Sequence, residues 1–333
     1  MTATERFQAF HKLGEYFRNI SSEEFQTLAI DARNYNTWFT PESISTSFQA
    51  LGNFLEETKL SNWFSKYIPS SESKTIAVVA AGNIPLVAFH DCLCILISNH
   101  SLKIKLSSKD QYLMTHVLKK LIEIEPRFSS RIEICERLQN FDAIIATGSD
   151  NSSRYFEYYF GKYPNIIRKN RTSVAILTGQ ESNEELAALG EDVFMYFGLG
   201  CRNVSKLFVP EGYNFNHLFE QWQSKETIIH HHKYNNNYDY QKSIMLINKI
   251  DFLDNGFVMI TENEKLVSPI SVLYFSYYHD LESLKTELKN SEEKIQCIVG
   301  NTKPAKVPFG KAQYPELYDF ADNIDTMTFL SNL

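Results

Sequence analysis

Two hydrophobic rhythms divide this chain. From Met1 to about Tyr67, apolar residues return every three or four positions, through FQAFHKLGEYF and again through SFQALGNFLEETKLSNWF. That spacing predicts amphipathic helices. PSSESK, from Pro69 to Lys74, is a polar breaker and a candidate boundary. Beyond it the rhythm becomes that of strands alternating with helices. TIAVVAAG reads as a β-branched strand, Ile84 to Ser98 as a helix, SLKIKL as a strand and DQYLMTHVLKKLIEIEP as a helix. RIEICE and FDAIIATG are two further strands, NSSRYFEYYFGKY returns to helix, and SVAILTG closes the series as a strand ending at Gly179.

A second unit of the same kind starts near Asn183. NEELAALGEDVFMYF is helical, SKLFVPEG a strand and NFNHLFEQWQ a helix. HHHKYNNNYDY is a polar tract, expected as a solvent-facing loop. Its consecutive His230, His231 and His232 cannot all face one metal from a regular element. GFVMITE, SVLYFSYYH, SLKTELKNS and KIQCIVG then continue the alternation, and the last residues predict a turn at Pro308–Gly310, a short helix and a terminal strand. Alternation of this kind indicates right-handed crossovers, and so an α/β architecture of doubly wound, mostly parallel sheets behind an N-terminal helical segment.

Composition narrows the function. Net charge is −7, so no basic field exists to hold nucleic acid. The most apolar run, around Ile84 to Ile97, contains His90 and Asp91 and is too short to span a bilayer. MTATERFQAF lacks the apolar core of a signal peptide, so a cytoplasmic location is expected. Cys92, Cys94, Cys135, Cys201 and Cys297 make an odd count without metal-type spacing, which fits reduced thiols and no metal.

Four turns can carry chemistry. In ATGSDNSSRYF a strand ends at Thr147, Gly148 lets the backbone turn, and small polar residues from Ser149 open a helix. The amides of that helix start suit a pyrophosphate, or Ser149 or Asp150 simply caps the helix. No GxGxxG is present. In KIKLSSKD, Lys105, Ser107 and Ser108 follow a strand, where α/β sheets hold ligands; a ribose or phosphate site and a solvated loop both fit. In AAGNIPL, Asn83 is either a helix cap or an amide donor to an oxyanion. In FGLGCRNVSKLFVPEG, Cys201 sits on a glycine-punctuated turn, as a nucleophile or a structural thiol. A helix C-terminus disfavours a thiolate there, and Arg202, Arg168 or Lys169 are the cations available to offset it. The other cysteines fall within apolar helix or strand patterns and read as packing.

The order of these pieces resembles the aldehyde dehydrogenase superfamily. GNIPLVAFHDCLCILISNHSLKIKLSSKD, FDAIIATGSDNSSRYFEYYFGKYPNIIRKNRTSVAILTG and FGLGCRNVSKLFVPEGY look like its LuxC-type acyl-CoA reductases, over roughly Thr75 to Tyr213. The resemblance implies an aldehyde-dehydrogenase-like fold with residues 1–70 as a helical segment packed on the cofactor domain. Residues 71–180 become a dinucleotide-binding domain, 181–310 a catalytic domain, and 311–333 a helix and strand returning to the fold or to a partner subunit. Carried over by motif, Cys201 matches the nucleophile, Asn83 the oxyanion-hole amide, and Lys105 with Ser107 and Ser108 the adenosine ribose site. Thr147, Gly148 and Ser149 match the turn at the dinucleotide, and Glu264 the second cofactor-binding glutamate. Where hydrolytic relatives carry a water-activating glutamate this chain has RKNRTS, with Arg168 or Lys169 at that place. A thioacyl enzyme without that base is expected to exchange with coenzyme A rather than hydrolyse. Uncharged Ser108 favours NADPH over NADH. The implied activity is reduction of a fatty acyl-CoA to aldehyde, in a homo-oligomer or with an acyl-transferring or synthetase subunit. An acyl-phosphate reductase and a non-catalytic nucleotide- or acyl-binding subunit are the alternatives.

Overall fold

Thr2 and Glu5 close the first helix with a reciprocal capping box, the Thr2 hydroxyl taking the Glu5 amide and the Glu5 carboxylate the Thr2 amide. Helix α1 (Ala3–Asn19) is followed by α2 (Ser22–Tyr35), α3 (Pro41–Phe54) and α4 (Glu57–Phe64). Ser21 and Thr40 cap α2 and α3, with Pro41 at the first position of α3. Gly14 is required in α1 because a Cβ there would meet Leu55 Cβ at 2.5 Å.

In the computed structural model, which describes residues 1–148 and 150–333, these helices belong to one compact unit with the first sheet. That unit is Met1–Asn170 with Glu316–Leu333. Its further elements are β1 (Thr75–Val79), α5 (Phe89–Ile97), β2 (Ser101–Lys105), α6 (Gln111–Ile124), β3 (Ile132–Ile134), β4 (Ala143–Thr147), α7 (Asp150–Phe160) and β5 (Asn165–Arg168). The strands run parallel in the order β3-β2-β1-β4-β5. The chain therefore winds outward from β1 in one direction and then, from β4, in the other. The reversal falls between β1 and β4, and doubly wound sheets hold ligands outside the carboxyl ends of strands at such a point. Ile76, Val78, Leu102, Ile104 and Ile145 join Phe10, Phe17, Phe48 and Trp63 in a single core, so the N-terminal helices are packed on this sheet. Each such fully buried side chain contributes about 1.5–3 kcal/mol.

The second unit, Arg171–Pro315, contains β6 (Thr172–Ile176), α8 (Asn183–Phe194), β7 (Val204–Pro210), α9 (Phe215–Gln221), α10 (His232–Ile247), β8 (Leu253–Asp254), β9 (Met259–Glu262), β10 (Val272–Tyr278), α11 (Leu281–Asn290) and β11 (Ile295–Val299). Strand order is β11-β6-β7-β10-β9-β8, parallel except for the β8 edge. One face packs against α8 and α9 through Leu189, Leu218 and Trp222, the other against α11 through Leu284 and Leu288.

Several elements differ from the sequence pattern. SVAILTG, assigned above to the first unit, forms β6 and pairs with β7 and β11 in the second sheet. Asn165–Arg168, missed as a strand, is β5. The helix expected from Ile84 begins only at Phe89, because Gly82–Ala88 is taken up by turns. The HHHKYNNNYDY tract is not a loop but the start of α10, where Tyr234, Tyr238 and Met245 turn one face inward and the His231 ring caps the first turn. Packing overrides the weak helix propensity of its asparagines. The terminal strand is instead helix α12 (Thr326–Ser331), started by Asp325, whose carboxylate accepts the Thr328 amide at 2.9 Å.

Helix α12 is also tied to the end of β5. Arg168, 4% exposed, donates from Nη1 to Asp91 Oδ2 at 2.5 Å, and from Nη2 to Asp91 Oδ1 at 2.8 Å and Thr326 Oγ1 at 3.1 Å. This buried fork joins β5, α5 and α12. Asp91→Ala would leave the guanidinium uncompensated, and should lower the unfolding free energy by about 3–5 kcal/mol. The joint replacement of Asp91 by Leu and Arg168 by Met should cost far less. Urea denaturation of the two variants checks that order.

Candidate active site

Strand β1 ends in a turn that two other parts of the first unit hold, α3 and the turn after β2. Gly82 lies against the turn after β2: a Cβ there would sit 2.6 Å from Ser107 Oγ and 3.1 Å from Asp110 Cβ. The Ser47 hydroxyl, from α3, donates to the Pro85 carbonyl at 2.9 Å. Asp110 Oδ2 accepts the Leu86 amide at 2.8 Å, and Leu86 holds a φ of 59°. Leucine in that left-handed region is strained and keeps it only where its surroundings impose it. Burial pushes the Asp110 carboxyl well above the usual carboxylate range, against the pull of the Leu86 amide. Asn83 is half-buried within this turn.

Lys105 is the exposed last residue of β2. Ser107 and Ser108 follow on the turn into α6, where Ser107 Oγ accepts the Lys109 amide at 3.3 Å and Ser108 is exposed. Thr147 ends β4, and Gly148 is followed two residues later by α7. Gly148 has no room for a side chain, since a Cβ would meet Phe156 at 2.7 Å and Ser152 at 2.8 Å. Its amide donates to the Arg168 carbonyl at 3.4 Å. Ser149 lies outside the described residues. Asn83, Lys105, Ser107, Ser108, Thr147 and Gly148 thus share one edge of the first sheet, above the adjacent strands β2, β1 and β4.

Cys201 lies in the second unit, on the turn before β7. After α8 the backbone passes through three consecutive left-handed residues, Tyr196 (φ 52°), Phe197 (φ 59°) and Gly198 (φ 76°). Asn203, 2% exposed, closes the turn behind them: its Oδ1 accepts the Gly200 amide at 2.8 Å. Its Nδ2 donates to the carbonyls of Asp192, Val193 and Met195 at 3.1, 3.3 and 2.8 Å. The Ser173 hydroxyl donates to the Cys201 carbonyl at 3.1 Å and lies 3.0 Å from Cys297 Sγ. Arg202 Nε donates to the Ala312 carbonyl at 2.6 Å. Asp192, fully buried, accepts the amides of Gly310 at 2.7 Å and Ala312 at 2.8 Å. A cavity of about 30 Å³, lined by Phe194, Phe197, Gly198, Val204, Tyr234 and Ile270 among others, lies beside this turn. It admits little more than one water-sized group.

The cysteines divide accordingly. Cys92 and Cys94 are buried in α5, and burial raises both thiols well above the ordinary value; it also raises Cys135. Cys201 is half-buried on its turn, and so are Cys135 and Cys297, which the sequence pattern assigns to packing. Arg168 is committed to Asp91, and Lys169 pairs with Glu157 at 3.0 Å. Glu264 is exposed on the loop after β9, where the following Leu266 carbonyl accepts the Ser205 hydroxyl at 2.6 Å. Among the described residues no cluster of His, Cys, Asp or Glu could hold a metal ion, and no helix is long and apolar enough to cross a membrane. Sequence reasoning missed Asn203, Ser47, Asp110 and Asp192. None of the four lies in a pattern that marks it in the sequence.

Aldehyde dehydrogenase 21 from Physcomitrella patens, solved in complex with succinate, matches all of this chain over 84% of its own, with a TM-score of 0.71 at 12% identity. An NAD-dependent aldehyde dehydrogenase from Sinorhizobium meliloti matches 90% of this chain over 70% of its own, with a TM-score of 0.66 at 11% identity. Glyceraldehyde-3-phosphate dehydrogenase GapN from Methanocaldococcus jannaschii, complexed with NADP, matches 91% over 77%, with a TM-score of 0.63 at 13% identity. The fold is that of the aldehyde dehydrogenases. No protein-family model and no curated protein matches the sequence. Within this aldehyde-dehydrogenase-like fold, Asn203, Asp192, Ser173 and Arg202 brace the turn before β7.

That bracing gives two predictions. Asn203→Ala leaves the Gly200 amide and three carbonyls without their partner, and should cost about 1–3 kcal/mol; thermal denaturation with limited proteolysis at the turn reads it. Burial raises the Asp192 carboxyl to about 6, while the Gly310 and Ala312 amides and Arg202 oppose the shift. The folded chain thus holds a proton there that the unfolded chain has released, so stability from this group is present below about pH 4 and lost as pH rises through 6. Relative to Asp192→Asn, wild type should lose about 3 kcal/mol over that window and then level off. Denaturant titrations at each pH measure the difference.

Proposed function

We propose that this chain is an NADPH-dependent acyl-CoA reductase working through a thioacyl enzyme on Cys201. The observation that carries the reading is the Cys201 turn itself. Three left-handed residues and the Asn203 clamp hold the turn that carries half-buried Cys201, while Cys92 and Cys94 are buried and the half-buried Cys135 and Cys297 follow β3 and lie within β11. The aldehyde-dehydrogenase-like fold and the relatives named with NAD or NADP support a nicotinamide cofactor.

The Cys201 thiolate attacks the thioester carbonyl, and its sulfur forms a bond to the acyl carbon. Asn83 donates its side-chain amide to the oxygen that becomes negative. The bond from that carbon to the coenzyme A sulfur then breaks, and the departing thiolate takes a proton from solvent. The resemblance puts Arg168 or Lys169 at the place of the water-activating glutamate; neither cation is a base, and the Asp91 carboxylate is taken up by Arg168. Hydrolysis of the thioacyl enzyme is disfavoured on that account.

The residues at the carboxyl ends of β1, β2 and β4 fit a dinucleotide. Gly148 provides a turn with no side chain at the start of α7, Lys105 and Ser107 offer donors for the ribose, and exposed, uncharged Ser108 leaves room for a 2′-phosphate. A bound nicotinamide supplies the hydride that turns the thioacyl carbonyl into the aldehyde. The 30 Å³ cavity beside the turn is too small to receive a long acyl chain.

Incubation with acyl-CoA thioesters of graded length and NADPH should oxidise the cofactor and release one coenzyme A per aldehyde. Cys201→Ala should abolish both. Release of phosphate from an acyl phosphate instead would favour the acyl-phosphate alternative. No turnover with either substrate class, or undiminished turnover after Cys201→Ala, would remove the proposal.

A further inference from the structure

Asp110 is a buried acid for which helix capping gives no reason. It stands at the N-cap of α6 yet makes no side-chain cap bond. It is 2% exposed, and its Oδ1 has no hydrogen-bond partner among the described residues. An unpaired carboxyl oxygen in the core is destabilising, and serine or threonine would cap α6 without it. The other oxygen, Oδ2, is turned away from α6 to the Leu86 amide at 2.8 Å. Leu86 is the residue of the β1 turn whose left-handed φ, 59°, needs an external hold. Three residues before it stands Asn83. Gly82 and Asp110 are in contact as well, since a Cβ on Gly82 would lie 3.1 Å from Asp110 Cβ.

We propose that Asp110 is a positioning residue: by fixing Leu86 it holds the Gly82–Leu86 turn in the one shape that aims the Asn83 amide at the oxyanion. The inference rests on the acyl-transfer reading above for its chemistry, but not for its mechanics. The Leu86 amide needs an acceptor at this point, and the negative charge of the carboxylate is not required. Asparagine, with a carbonyl oxygen of the same reach, should therefore replace Asp110, whereas alanine should not.

Three readouts on the 333-residue chain test this. Hydrogen exchange of a peptide covering Gly82–Ala88 should accelerate in Asp110→Ala by at least about tenfold, as expected for loss of the acceptor, and stay near wild type in Asp110→Asn. The rate of coenzyme A release on mixing with acyl-CoA without NADPH should fall about 10- to 100-fold in Asp110→Ala, approaching loss of an oxyanion donor, and be rescued in Asp110→Asn. Alkylation of Cys201 by iodoacetamide, which needs no oxyanion donor, should be equal in all three proteins. Should Asp110→Ala fail to fold, Asp110→Ser, which caps α6, takes its place. Unchanged exchange and acylation in the alanine or serine variant would overturn the proposal. So would an asparagine variant as impaired as alanine, or alkylation falling in step with acylation. If wild type is never acylated, the enzymatic reading fails, while the exchange experiment still decides whether Asp110 holds the turn.

Discussion

The first unit depends on holding one tight turn in place against its own backbone preference. Gly82–Leu86 leaves β1 at the centre of a parallel sheet, where the ladder no longer supplies hydrogen bonds and a leucine takes a left-handed conformation. Buried side chains replace the ladder: Ser47 from the N-terminal helices takes one carbonyl, Asp110 from the neighbouring turn takes one amide, and the missing Cβ of Gly82 lets the two turns touch. The role of the first seventy residues follows from this. They cover the sheet with Phe10, Phe17, Phe48 and Trp63, and they also deliver a hydroxyl to the turn that carries Asn83.

The second unit meets the same requirement with different residues. The chain has to leave α8 and reach β7 in a few residues, and it does so through three successive left-handed positions. The carbonyls exposed at the end of α8 would be orphaned there, and Asn203 gathers three of them while binding Gly200. Asp192 and Arg202 extend the brace to the segment around Ala312. Strain of this kind persists only when the surroundings over-determine it, which is why the turn is surrounded by fully buried polar groups rather than by apolar packing alone.

Arg168 is a buried cation whose charge is met within the first unit. Its fork takes up both oxygens of Asp91. The same guanidinium reaches Thr326, so one side chain joins β5, α5 and α12. A buried pair of this sort is poor evidence for stability gain, but breaking it from either side is costly.

Periodicity alone determined the helical first segment, most strands of both sheets and the α/β class, because burial of one face imprints a period of two or 3.6 on the chain. It also picked out the turns at Asn83, Ser107, Gly148 and Cys201, since glycine and small polar residues are needed wherever a strand must stop abruptly. The membership of β6, the existence of β5 and the helicity of the histidine–asparagine tract were decided by tertiary structure. In each case long-range pairing or packing outweighed a local preference worth a few tenths of a kcal/mol per residue. Ser47, Asp110, Asp192 and Asn203 carry no signature in one dimension, because a buried hydrogen bond is defined by what lies opposite in space, and only the folded chain brings Ser47 to a carbonyl thirty-eight residues away.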